Sequence, residues 1–264
     1  MSGIDLNEDH QPIDHMQIDY LRLGYAEFYV QENQFDQQTL DDLADYYWAN
    51  YGSFLPKDPE ARILDVGCGG GQFLRCLEQK GYRSPIGVDI SLNMVRLAST
   101  VARNSQVDLT EDTERYLKET GPYDAIVIDD VLEHIPKHQT IPFLLSVKEA
   151  LRPGATLLIK VPNMGALFVG QSRYIDFTHE VGYTQESLHQ VLKDIGYVDI
   201  TLWAPIPPPP NCLTRSLRRA LGNFRRAFLS AAIERTLVWA GYSVPKITSE
   251  LLMAVARKPG QATD

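Results

Sequence analysis

The chain has 264 residues, 44% of them hydrophobic and 22% charged: enough for one elaborated α/β domain and too little for two ordinary domains with a linker. Its net charge of −9 excludes a phosphate-binding face spread over the whole surface, so no nucleic-acid partner is expected. Cys68, Cys76 and Cys212 are too few for a disulfide framework and lack a histidine at ligand spacing, which excludes a zinc site among them and points to a reducing, cytoplasmic setting.

Residues 1–14 are polar, and the acidic stretch 1–19 lacks the apolar run of a signal peptide. Residues 18–51 read as helix, with Leu40, Leu43, Ala44 and Tyr47 at helical spacing, so 1–58 is expected to be an N-terminal helical segment. Pro56 and Pro59 punctuate the chain, and 59–264 reads as a single α/β unit. Strands are predicted at 62–66, 85–89, 105–109, 124–128, 155–161 and 197–203, and helices at 72–80, 92–103, 141–151 and 185–195. That alternation implies a doubly wound, mostly parallel sheet. Pro207 to Pro210 break the pattern, 206–249 is expected to be a helical insertion, and 250–256 reads as a last strand. No stretch reaches the roughly 18 apolar residues of a transmembrane helix.

The first strand runs into Gly67-Cys68-Gly69-Gly70-Gly71 and then a helix. Glycines there let the backbone turn sharply and approach a ligand across the carboxyl ends of the strands. A dinucleotide site wants a third glycine where Gln72 stands, and its pyrophosphate would be repelled by Asp65. A cationic ligand would not. Asp89, ending the second strand, suits the two hydroxyls of a ribose.

Asp65-Val66-Gly67-Cys68-Gly69-Gly70-Gly71, Gly87-Val88-Asp89-Ile90-Ser91, the segment 123–136 and Leu151-Arg152-Pro153-Gly154-Ala155 together resemble the class I S-adenosylmethionine-dependent methyltransferases. The resemblance covers about residues 62–161. It implies a seven-stranded sheet with an antiparallel last strand and S-adenosyl-L-methionine as cofactor. It also implies roles: Gly67, Gly69 and Gly71 under the methionine part, Asp65 on its amino group, Asp89 on the ribose, Ile90 on adenine, Asp112 on the adenine amino group and Asp129 facing the methionine part, with Cys68 among the cofactor-binding residues.

A sulfonium methyl is already activated, so the chain needs chiefly to align a nucleophile, and for a hydroxyl to accept its proton. His134 and His179 are the candidate bases, each also readable as a structural tie, with Asp176 beside His179. Arg173 and Tyr174 are candidate acceptor-binding residues on the long loop after the fifth strand. Arg173-Tyr174-Ile175-Asp176-Phe177-Thr178-His179 with the following 183–188 resembles the subset of the family associated with surface polysaccharide and glycolipid assembly. Thr184, with Ser187 three residues on, reads as a helix cap. Asp129, Asp130 and Asp176 offer carboxylates to a metal, but nothing in their spacing demands one and none is expected.

The expected reaction is therefore O-methylation of a sugar or glycan intermediate. A quinone, phenol or other metabolite is the alternative acceptor, and a non-catalytic cofactor-binding subunit the alternative role. Residues 213–229 place Leu213, Leu217, Ala220, Leu221, Phe224 and Phe228 on one helical face and Arg215, Arg218, Arg219, Arg225 and Arg226 on the other. That face suits the protein core, a second copy of the chain, a lid, or an anionic membrane surface.

Overall fold

The computed structural model describes residues 37–166, 173–206 apart from 175, 249–260 and a few positions between 232 and 247. The sequence readings for 1–36, for Cys212 and for the basic segment 213–229 lie outside the described residues.

Five strands, β1 (Ile63–Val66), β2 (Ile86–Asp89), β3 (Gln106–Leu109), β4 (Tyr123–Asp129) and β5 (Leu151–Pro162), are parallel. β7 (Leu251–Arg257) runs antiparallel between β5 and β6 (Val198–Trp203), giving the order β3-β2-β1-β4-β5-β7-β6. This is the seven-stranded sheet expected, reversed last strand included. Alternation along the strands divides the core between the two faces. Leu64, Val66, Ile126, Ile128, Leu157 and Ile159 face Phe143 and Leu144 of α5 (Lys137–Ala150) and Leu188 and Leu192 of α6 (Gln185–Asp194). Ile63, Ala125, Val127, Leu158 and Met253 face Tyr51 of α1 (Gln37–Tyr51) and Phe73 and Leu77 of α2 (Gln72–Gln79). The described part of the N-terminal segment is thus packed into the domain core.

Two helices depart from the expectation. α4 (Thr113–Thr120) lies where the sequence predicts no helix, because Leu117 is its one buried residue and no apolar stripe marks it; local bonds define it instead, the Asp112 cap on the Arg115 N–H at 2.9 Å and the Arg115–Glu119 pair at 2.8 Å. α5 starts at Lys137 and not 141, and it carries Pro142 inside it. The lost backbone bond there is offset by a buried face of Thr140, Phe143, Leu144 and Val147. α3 (Leu92–Val101) lies as expected. Thr184 and Ser187 form a reciprocal capping box at the start of α6. Cys68 and Cys76 are unpaired and buried. No helix among the described residues is long and apolar enough to cross a membrane.

Candidate active site

A cavity of about 550 Å³ opens at the carboxyl ends of β1, β2 and β4, where the strand order reverses between β1 and β4. Its wall includes Asp65, Gly67, Cys68, Gly69, Asp89, Ile90, Asp112 and Asp129. Eight of the nine residues expected at the cofactor therefore share one surface. The ninth, Gly71, has another task. Its φ is +80°, and a Cβ there would lie 2.8 Å from the Ala98 Cα, so it lets the start of α2 pack on the backbone of α3. Gly69 also has positive φ, but a Cβ there would meet no protein atom within 4 Å.

Asp89 is held from behind. Its Oδ2 accepts the Gly69 N–H at 2.9 Å and its Oδ1 the Ser91 N–H at 2.8 Å. Each carboxylate oxygen has a second lone-pair direction, so two parallel bonds to vicinal hydroxyls remain open to a ligand. Burial raises the Asp89 carboxyl above its ordinary value, against the backbone N–H groups of Ser91, Gly69 and Ile90. Asp89→Ala is expected to weaken S-adenosylmethionine binding by about 1.5–3 kcal/mol, and titration calorimetry reads the change directly. Unchanged affinity would remove Asp89 from the ribose position. Asp112 lines the cavity, and its Oδ1 is already engaged in capping α4.

Asp129 and Asp130 of the cavity lining belong to a charge cluster. Lys160, in β5 and almost fully buried, pairs with Asp129 at 2.7 Å and Asp130 at 2.8 Å. Burial first, then the neighbouring Asp130, raises the Asp129 carboxyl to about 6 against the pull of Lys160. Asp65 is pushed well up by burial and then by Asp129 and Asp89. With Asp65, Asp89, Asp129 and Asp130 around one lysine, a cationic ligand would draw the raised carboxyls of the first three into their ionised forms, whereas a pyrophosphate would meet acids and a lysine already paired. Asp130 holds φ at +54°, a left-handed conformation uncommon outside glycine and often found at functional sites. Since a cationic ligand prefers the ionised form of Asp129, affinity for S-adenosylmethionine should fall as pH drops through about 6, with a proton released on binding near that pH. Calorimetry between about pH 5 and pH 8 in buffers of different ionisation enthalpy tests this. A flat profile, or one unchanged in Asp129→Asn, would count against it.

The other wall is made by His134, Ile135, Pro136, Gln139 and Phe143. His134 ends a 3₁₀ turn, Leu132–His134, after β4. Its Nδ1 meets the Thr178 Oγ1 at 2.8 Å, and that hydroxyl donates to the Asp176 Oδ1 at 2.7 Å. Asp176 also accepts the Thr178 N–H at 2.8 Å. The Thr178 proton being committed, His134 Nδ1 carries the hydrogen and Nε2 the lone pair. Burial pulls the imidazole below its ordinary pKa, with Asp176 opposing and His179 assisting, so the ring is neutral at physiological pH. The His179 ring stands edge-on at 4.9 Å from that of His134.

Asp176 therefore orients His134 through Thr178. His179, Asp176, Arg173 and Tyr174 are absent from the cavity wall. Arg173 donates to the carbonyl oxygens of His179 at 2.5 Å and Glu180 at 3.3 Å, fastening the loop, and Tyr174 is exposed. Asp129 and Asp130 being paired with Lys160, and Asp176 lying behind Thr178, the structure does not assemble these three carboxylates for a metal. Lys160, paired with two acids of the cavity lining, and Glu133, buried beside His134, are not singled out by the sequence. A lysine amid the apolar run 157–161 was the signal for the first, and a glutamate beside His134 for the second.

A sheet of this order with a reversed β7, and an acid–glycine cradle at its switch point, define the class I methyltransferase fold. The sequence profile of the methyltransferase-domain family matches residues 31–202, and the chain belongs to that family. It is 26% identical over 149 residues to the ubiquinone biosynthesis O-methyltransferase of Escherichia coli O9:H4, covering 54% of this chain and 59% of that one. It is 31% identical over 127 residues to the enzyme of the same name from Xanthomonas campestris pv. campestris, covering 44% and 51%. The chain thus spans little more than half the length of these relatives. Among solved structures, an S-adenosylmethionine-dependent methyltransferase from Archaeoglobus fulgidus superposes with a TM-score of 0.59 at 21% identity, over 84% of this chain and 100% of that one.

Proposed function

We propose that this chain transfers the methyl group of S-adenosylmethionine to a hydroxyl oxygen of a small-molecule acceptor. The carrying observation is a single cavity with a cation-receptive, ribose-ready wall on one side and a neutral, oriented His134 on the other. The acceptor oxygen attacks the methyl carbon in line, the O–C bond forming as the C–S bond breaks. The sulfonium leaves as a neutral thioether, and the hydroxyl proton passes to a base or to water. Alignment accounts for the larger share, up to about 7–11 kcal/mol in favourable cases. Proton removal adds about 10²–10⁴-fold.

The O-methyltransferase names of the curated relatives support a quinol or phenol over the sugar or glycan acceptor expected from the loop sequence. A volume of about 550 Å³ is in the range of small-ligand sites. The test is incubation of the purified chain with isotopically labelled S-adenosylmethionine and a panel of phenols, quinols and sugars, read by mass spectrometry. One labelled methyl on a phenolic or quinol hydroxyl is the expected product. Product on sugars alone would restore the glycan reading, and cofactor binding with no product on any acceptor would favour a non-catalytic subunit.

A further inference from the structure

We propose that Glu133, His134 and His179 hold a divalent transition-metal ion whose open position binds the acceptor hydroxyl beside the cofactor. The proposal rests on the methyl-transfer reading for the role of the ion, and on geometry alone for its presence.

One ligand atom from each of the three side chains lies within 4.8 Å of the other two. Ligands at about 2.0–2.2 Å from a tetrahedral ion stand roughly 3.4 Å apart, so side-chain rotations closing about an ångström complete the set. The glutamate is the second, independent observation. Glu133 is 1% exposed, and its Oε2 has no hydrogen-bond partner among the described residues. An unpaired buried carboxylate is costly to keep, and a bound cation removes that cost.

The surroundings are built for ligation. His134 Nδ1 is occupied by Thr178, itself fixed by Asp176, which turns the lone pair of Nε2 outward in the way that partners behind a metal-bound histidine do. His179 is brought in by its backbone. The Glu133 carbonyl accepts the N–H groups of Glu180 at 2.7 Å and Val181 at 3.0 Å, and Arg173 grips the carbonyls of His179 and Glu180. The loop carrying one ligand is therefore sewn to the turn carrying the other two, although 45 positions separate His134 from His179 (179 − 134).

Two imidazoles and one carboxylate select a first-row transition ion over magnesium or calcium. Three protein ligands leave a position for substrate, the arrangement of catalytic rather than structural sites. His134 lies on the cavity wall, so that position is reachable from the acceptor side. A hydroxyl bound there loses its proton to water more readily, and the oxyanion then displaces the thioether from the methyl carbon. His134 Nε2 serves in this scheme as a ligand.

The test uses the full chain after chelator treatment, titrated with cobalt(II) and read by visible ligand-field absorption, with elemental analysis of the untreated protein beside it. One cobalt per chain, displaced by zinc, is expected. Thr178→Val should weaken uptake by about 10–100-fold, and His179→Ala and Glu133→Gln by more. Asp65→Asn, outside the trio, should leave cobalt uptake intact while weakening cofactor binding. Should Glu133→Gln fail to fold, by circular dichroism, His179→Ala on the half-buried loop carries the comparison. Absent ligand-field bands together with no metal retained by the untreated protein, or uptake undiminished in His179→Ala, would overturn the site. Cobalt bound with full stoichiometry but no methyl product on any acceptor would leave the site standing and sink the methyl-transfer reading.

Discussion

Replacing His134 with alanine is expected to lower turnover by about 10²–10⁴-fold while leaving S-adenosylmethionine affinity unchanged. His134 shares the cavity wall with Ile135, Pro136 and Phe143, and its ring Nδ1 is bonded to Thr178 rather than to the acid–glycine cradle. The effect belongs on kcat because the neutral Nε2 acts only as the hydroxyl gives up its proton, whether as base or as ligand of an ion that polarises the oxygen. In barrier terms this is about 3–5 kcal/mol, at 1.36 kcal/mol per decade. Thr178→Val is the companion variant. It keeps the imidazole and removes the hydroxyl that fixes its tautomer, so kcat should fall with a smaller loss and the pH–rate profile should move. Calorimetry for the cofactor and initial rates for the product separate the two constants. Parallel loss of cofactor affinity and of thermal stability in His134→Ala would make the residue a structural tie of the post-β4 turn.

The cofactor half of the site was legible because its chemistry is local. Asp65, Gly67 and Gly69 follow one another on a single strand and turn, and Asp89 ends the next strand, so the parallel fold alone brings them to one edge. The acceptor half was legible as residue types and not as an arrangement. His134, Asp176 and His179 stood out as chemistry-bearing, yet the pairing of Thr178 with His134 spans 44 residues, and no periodicity reports which loop residue faces which turn residue. Asp176 therefore read as catalytic when it acts through Thr178. Gly71 read as part of the cradle because glycine looks the same whether a ligand or a neighbouring helix forbids its Cβ. Lys160 was hidden for a related reason. Its partner is set by the register that places Asp129 opposite Lys160 across β4 and β5, and register follows from packing on both faces of the sheet.

That pairing carries the other large expected effect. Lys160→Met should destabilise the cofactor-free protein by about 3–5 kcal/mol, the cost of removing one member of a buried ion pair. A surface pair would cost at most about 1 kcal/mol, and burial decides between the two figures. The side chains of Lys160 and Asp129 are each 9% exposed, whereas that of Asp130 is 49% exposed and can turn to water. The variant thus strands Asp129 beside Asp65 with no cation, and its carboxyl must climb above about 6 and take up a proton. A carboxyl raised in the folded state loses its penalty as pH falls through its folded value towards the ordinary 3.8, so the deficit should be largest at neutral pH and shrink in acid. Asp129→Asn combined with Lys160→Met should recover part of the lost stability, because the neutral amide no longer needs the lysine, and the departure from additivity measures the pair. S-adenosylmethionine should raise the melting temperature of Lys160→Met by more than that of the wild type, since its ammonium supplies the cation that the variant lacks. Chemical denaturation of the four proteins at two pH values, with and without cofactor, provides every term. A loss below about 1 kcal/mol, or strict additivity, would show that the buried lysine merely fills space.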